Sequence, residues 1–178
     1  TRVMIIQSIQ ESMKAEGVKV EIDPNTGDIS IAENILFPYG SAQLSTKGKV
    51  FLNEFIPVYS HVLFNRLSKE QQKQVARIIV EEHGSRDNNT SFDYSKNMTL
   101  SLSRSNAVVQ HVNSMPVFGG KLLFLFKLTP VGRGNIDSKP YDDASDRKVV
   151  FKFQFASELF GDISKNELIE KTKQLREK

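Results

Sequence analysis

The run Asn97-Met98-Thr99-Leu100-Ser101-Leu102-Ser103-Arg104-Ser105 decides how this chain is read. As a helix it places Asn97, Ser101 and Arg104 at i, i+4 and i+7, stacked on one face. Leu100, Ala107 and His111 form a second stripe, with Val108 and Val112 beside it. One apolar stripe is what any half-buried helix needs. A parallel stripe of Asn, Ser and Arg has another use, because the planar fork of arginine matches a carboxylate. The helix is expected to pack through one side and to bind through the other.

On the N-terminal side of this helix, Val75 to Glu82 is rich in β-formers at Ile78, Ile79 and Val80 and reads as a central strand; a polar loop from His83 to Asp93 follows it. Phe51, Phe55, Val58 or Tyr59, and Val62 make a helical stripe that Ser45 caps, with Pro57 expected to bend or interrupt it. Ser68-x-x-Gln71 is a capping box. Val18, Val20 and Ile22 alternate with Lys19 and Glu21; Asp23-Pro24-Asn25-Thr26-Gly27 is turn chemistry, and Ile29 and Ile31 return, so residues 18–34 are expected to form a β-hairpin. Residues 1–17 read as an amphipathic linker helix through Val3, Ile6, Ile9 and Met13, closed by Gly17. On the C-terminal side, Leu122 to Leu128 reads as a buried strand, and Gly132-Arg133-Gly134 opens a polar loop ending near Asp146. Val149, Phe151, Phe153 and Phe155 mark a last strand. Ser164-x-x-Glu167 opens a charged helix, so residues 156–178 form a helical tail. The order β-α-β-α-β-β over residues 35–155 predicts an α+β, two-layer sandwich with a mixed sheet and helices on one face.

Composition narrows the function. The 178 residues are 39% hydrophobic and 25% charged, as in an ordinary globular domain, and the net charge of +3 comes without the basic block that a nucleic-acid partner requires. There is no cysteine, hence no disulfide framework. The longest apolar run, Leu122 to Phe126, is too short to span a bilayer, and no signal peptide is visible; a chain beginning at Thr1 is read as a fragment whose membrane anchor lies upstream. His61, His83 and His111 are scattered, so no metal is expected. Gly132-Arg133-Gly134 lacks the rest of a phosphate loop, and no G-x-S-x-G is present, so neither a cofactor nor an enzyme is expected.

Four blocks in order carry a resemblance: Phe37-x-x-Gly40-Ser41-Ala42-x-Leu44, then Ile79-Val80-Glu81-Glu82-His83, then Asn97 to Arg104, then Gly132-Arg133-Gly134 with Asp146-Arg147-Lys148-Val149. Together they resemble the OmpA-like peptidoglycan-binding domains, the family that includes the C-terminal domains of the flagellar stator subunit MotB. The segment Phe51 to Tyr59 and the hairpin look closest to stator-type members, the ZorB subunits of Zorya anti-phage systems among them. The resemblance implies a noncatalytic periplasmic domain of a bacterial inner-membrane protein. Such a domain would anchor an ion-driven stator-like complex to peptidoglycan, as a homodimer beside a stator A-type subunit.

The resemblance also implies a site. Its members use an Asp of a Gly-His-Thr-Asp turn and an Arg of the signature helix to hold diaminopimelate of the stem peptide. Here Arg104 and Asn97 match, with Ser101 between them. In the turn, Glu82 replaces the Gly, Gly84 and Ser85 stand at the Thr and Asp positions, and Asp87 follows two residues later. Asp87 is expected to point toward the pocket with Ser85, and Arg147 to reach it from the last strand. Plainer roles stay open: Arg104 pairing with an acid across the fold, Asn97 as helix cap, Asp87 paired with Arg86, Arg147 blunting a sheet edge. A static cell-wall tether, or a dimerisation scaffold with a degenerate site, are the competing functions.

Overall fold

The computed structural model describes residues 2–86, 93–160 and 165–176. Helix α1 (Arg2–Ala15) leads into a hairpin of β1 (Glu21–Ile22) and β2 (Ile29–Ala32). A four-residue helix α2 (Glu33–Leu36) joins it to α3 (Thr46–Phe64) and α4 (Lys69–Gln74), and β3 (Val75–His83) follows. Then come α5 (Tyr94–Ser114), α6 (Lys121–Lys127), β4 (Leu128–Gly132), β5 (Lys148–Phe155), α7 (Ala156–Phe160) and α8 (Lys165–Arg176). The five strands lie in the order β1-β2-β5-β3-β4, with β3 and β4 parallel and the other pairs antiparallel. This is the mixed-sheet α+β architecture expected.

Strand alternation sets the layers. Along β5, Val149, Phe151, Phe153 and Phe155 are buried, while Lys148, Lys152 and Gln154 are only partly so. Opposite them on β3, Val80 pairs with Phe151 and Ile78 with Phe153. Phe55 and Tyr59 of α3 meet Phe151 edge-on, with ring centroids 5.0 and 6.0 Å apart. These rings bury large apolar areas and account for much of the core. Glu82 continues the Ile78–Val80 side of β3 at a position paired with Val149, and it is 1% exposed. A carboxyl group therefore sits where alternation calls for an apolar side chain.

Several expectations are corrected. Leu122 to Lys127 is helical and only Leu128 opens a strand, β4: Gly120, at φ +77°, caps α6, and the Phe124 N–H donates to its carbonyl at 2.8 Å. A short, uniformly apolar run has no period to separate helix from strand. Pro57 does not interrupt α3, because the buried Phe55, Ile56, Tyr59 and Ser60 around it hold the helix to the core. Helix α1 is no free linker: Ile6, Ile9 and Met13 of its apolar stripe are buried in the shared core together with Ile5, while Val3 at its start stays 76% exposed. Ser164, the cap expected before α8, lies outside the described residues. None of the described helices is long and apolar enough to cross a membrane.

The close approach of α5 to β4 positions the site. A Cβ at Gly132 would fall 2.6 Å from Leu102 N and 2.8 Å from Ser101 Oγ, so only glycine fits without moving the helix. Gly132→Ala is expected to cost about 1–3 kcal/mol through forced displacement of α5. A urea midpoint equal to that of the parent chain would show that helix and strand are not packed this closely.

Candidate functional site

Helix α5 begins at Tyr94, with Asp93 as its cap: the Asp93 carboxylate accepts from the Lys96 N–H at 3.0 Å. Asn97 is one turn inside, its Nδ2 donating to the Asp93 carbonyl at 2.8 Å, so it is not the cap. The buried stripe of α5 is Ser101, Arg104, Ser105, Val108 and Val112. Ser101 and Arg104 thus share the packing face rather than forming a separate outward one. Ser101 Oγ accepts from the Gly134 N–H at 2.8 Å, and Ser105 Oγ donates to the Val131 carbonyl at 2.6 Å. Ser101 therefore clamps the helix to the loop after β4.

Arg104 is 4% exposed. Its Nε donates to the Ser41 carbonyl at 2.8 Å; its Nη1 donates to Glu33 and, at 3.0 Å, to Glu82 Oε1. The guanidinium also lies 5.4 Å from the Phe37 ring centroid. Two carboxyl groups thus share one buried cation. Burial first, then the adjacent Glu33, push the Glu82 carboxyl up to about 8, against the pull of Arg104. The direction of that shift favours a proton held by Glu82, the arrangement in which one buried guanidinium has the least negative charge to balance.

Above this cluster the loop after β3 is tied to the Gly132-Arg133-Gly134 loop: the Gly84 N–H donates to the Gly134 carbonyl at 2.7 Å and the Arg133 N–H to the Glu82 carbonyl at 3.0 Å. Arg147 Nη1 donates to Ser85 Oγ at 2.5 Å and to Asp142, while Ser85 Oγ donates to Asp142 Oδ1 at 3.0 Å. Those contacts, Arg147 first, hold the Asp142 carboxyl below its usual range.

A cavity of about 440 Å³ opens between the start of α5 and these loops, and Glu33, Tyr39, Ser85, Asn97, Arg104 and Arg147 all line it. Four of the six residues expected from the sequence therefore meet at one cavity. Ser101 lies on the packing side of the helix instead, and Asp87 lies outside the described residues. Sequence reasoning missed Glu33, Glu82 and Asp142. Only Glu82 carried a signal, as the charged position in the Ile78–Val80 alternation. His83 turns away from this cavity, with Nε2 2.6 Å from Glu81 Oε1 and Nδ1 3.4 Å from Asp137. Among the described residues no group of three His, Asp or Glu is placed to hold a metal ion.

No protein-family model matches the chain. The Zorya protein ZorB of Escherichia coli is 35% identical over 97 residues, which cover 52% of this chain and 39% of that protein. The matched stretch thus spans about two fifths of its curated relative. Among solved structures, a MotB-like protein from Desulfovibrio vulgaris aligns over 85% of this chain and 90% of its own, at 18% identity and a TM-score of 0.57. The periplasmic domain of Helicobacter pylori MotB aligns over 79% and 91%, at 15% identity and a TM-score of 0.56. The chain therefore has the fold of the MotB periplasmic domains and is similar in sequence to ZorB, as the four motif blocks imply.

Proposed function

We propose that this domain is a noncatalytic, periplasmic peptidoglycan-binding module that ties a membrane-embedded, stator-like complex of the MotB and ZorB kind to the cell wall. In that setting its partners are the diaminopimelate-bearing stem peptide, a second copy of the chain and a stator A-type subunit of the inner membrane. The likeness to ZorB favours a role in anti-phage defence over flagellar rotation. The observation that carries the reading is the convergence of Ser85, Asn97, Arg104 and Arg147 on one cavity in a chain of this fold. A zwitterionic amino-acid end presents an ammonium and a carboxylate. Asp142 and Arg147, paired at the cavity, offer the complementary charges.

The test is co-sedimentation with isolated sacculi. The domain is expected in the pellet, and Arg147→Ala is expected to weaken retention by about 1.5–3 kcal/mol, tenfold or more, through loss of a charged hydrogen bond. Folded domain that stays in the supernatant sinks the reading. A second reading, a scaffold without a ligand, is favoured by one observation: Arg104 is already paired inside the protein with Glu33 and Glu82.

A further inference from the structure

The two arginines of the cavity are held very differently. Arg147 and its partner Asp142 are each about one third exposed, with side-chain exposures of 34% and 35%. Water screens such a pair, and a ligand carboxylate exchanges with Asp142 easily. Arg104 is buried, and its geometry is closed. A guanidinium grips a carboxylate through two nitrogens on one edge. The end-on edge of Arg104 includes Nη1, committed to Glu33 and Glu82, and the side-on edge includes Nε, committed to the Ser41 carbonyl. Each edge therefore contains a nitrogen already in use.

From this geometry we infer that Glu33 masks Arg104: a ligand carboxylate is held by this arginine only by displacing the Glu33 carboxylate, which makes Glu33 the residue that sets affinity at the cavity floor. The inference rests on the reading of this cavity as the wall-binding site. Glu33, not Glu82, is the group that leaves. Glu33 lines the cavity, its side chain retains 11% exposure, and it is the first residue of the short helix α2. Glu82 is 1% exposed and lies in the middle layer of the sheet, between β4 and β5. The exchange swaps carboxylate for carboxylate, so no buried charge is left without a partner. A neutral or cationic end group cannot make that exchange, and the mask therefore selects for a ligand that carries its own carboxylate. The Glu33 N–H also donates to the Arg147 carbonyl at 3.1 Å, so the mask is attached to the strand that bears the second arginine.

The test uses the full chain and two substitutions. Glu33→Gln keeps a hydrogen-bonding side chain but removes the competing charge. Glu33→Asp withdraws the carboxylate by one methylene and guards against a folding defect in the first variant. Both are expected to bind sacculi and free diaminopimelate roughly five- to tenfold tighter than the parent. In parallel, acetate is titrated while the arginine side-chain ¹⁵N resonances are followed. The Arg104 resonance is expected to shift in Glu33→Gln at acetate concentrations that leave the parent unchanged. If parent and variants bind sacculi equally and acetate moves Arg104 in neither, the mask is overturned while the wall-binding reading stands. If acetate shifts Arg104 only in the variant and no form binds sacculi, the mask stands and the wall-binding reading falls. Variants that gain on neither probe overturn the mask outright.

Discussion

Arg104→Ala is expected to destabilise the domain by about 3–5 kcal/mol, the cost of removing one partner from a buried ion cluster and leaving the other charge uncompensated. The variant leaves Glu33 and Glu82 facing each other without the Nη1 donor, and strips the Ser41 carbonyl of the Nε donor. Most of that loss falls on Glu82, a carboxyl group that cannot reach water at 1% exposure, whereas Glu33 still faces the cavity. The consequence bears on any binding assay. A loss of ligand retention in Arg104→Ala would be expected from partial unfolding alone, so Arg147→Ala, whose side chain is one-third exposed, is the cleaner probe of the cavity. Guanidinium denaturation of the Arg104→Ala variant decides the point: a midpoint matching the parent chain would mean that Arg104 is not the buried partner of these acids.

The same residue shows what the sequence reveals and what it hides. Helical spacing puts Asn97, Ser101 and Arg104 at i, i+4 and i+7, but spacing alone does not say which face is buried. The buried stripe depends on what lies opposite. Gly132 and the Ser101 and Ser105 hydroxyls let α5 sit directly on β4, and that contact turns Ser101 and Arg104 inward. The strands β3 and β5 were legible because a period of two is strict and their apolar residues are bulky. Helix α6 was not, since Leu122 to Phe126 is apolar without a period that would separate helix from strand. Glu33 gave no local hint of its role. It meets Arg104 across 71 positions of the chain, a pairing set by the sheet order β2-β5-β3 and not by any nearby pattern.

Stability is expected to fall by about 1 kcal/mol between pH 7 and pH 9, and Glu82→Gln is expected to abolish most of that fall. The folded-state Glu82 carboxyl is raised from 4.5 to about 8 by burial, with Glu33 adding to the effect. Between those values the folded chain binds a proton that the unfolded chain does not. Its contribution is therefore complete below the unfolded value and is lost as pH rises through about 8, with a slope of at most about 1.4 kcal/mol per pH unit. Other shifted groups act elsewhere. The lowered carboxyls of Asp137, Asp142 and Asp143 add stability above the unfolded carboxylate range and have finished titrating long before pH 7. His111 is lowered by burial, then by Lys49, so it acts below the ordinary histidine value. Lys127, lowered from the ordinary lysine range by burial, titrates alike in parent and variant, so the difference between their slopes reports the cluster. Glutamine reproduces the neutral form of Glu82 in nearly the same volume, and it cannot ionise to place a second negative charge beside Glu33. Denaturation midpoints of parent and variant across this interval settle the matter. Equal slopes would mean that Glu82 is already ionised at neutral pH, and that Arg104 alone balances two buried carboxylates.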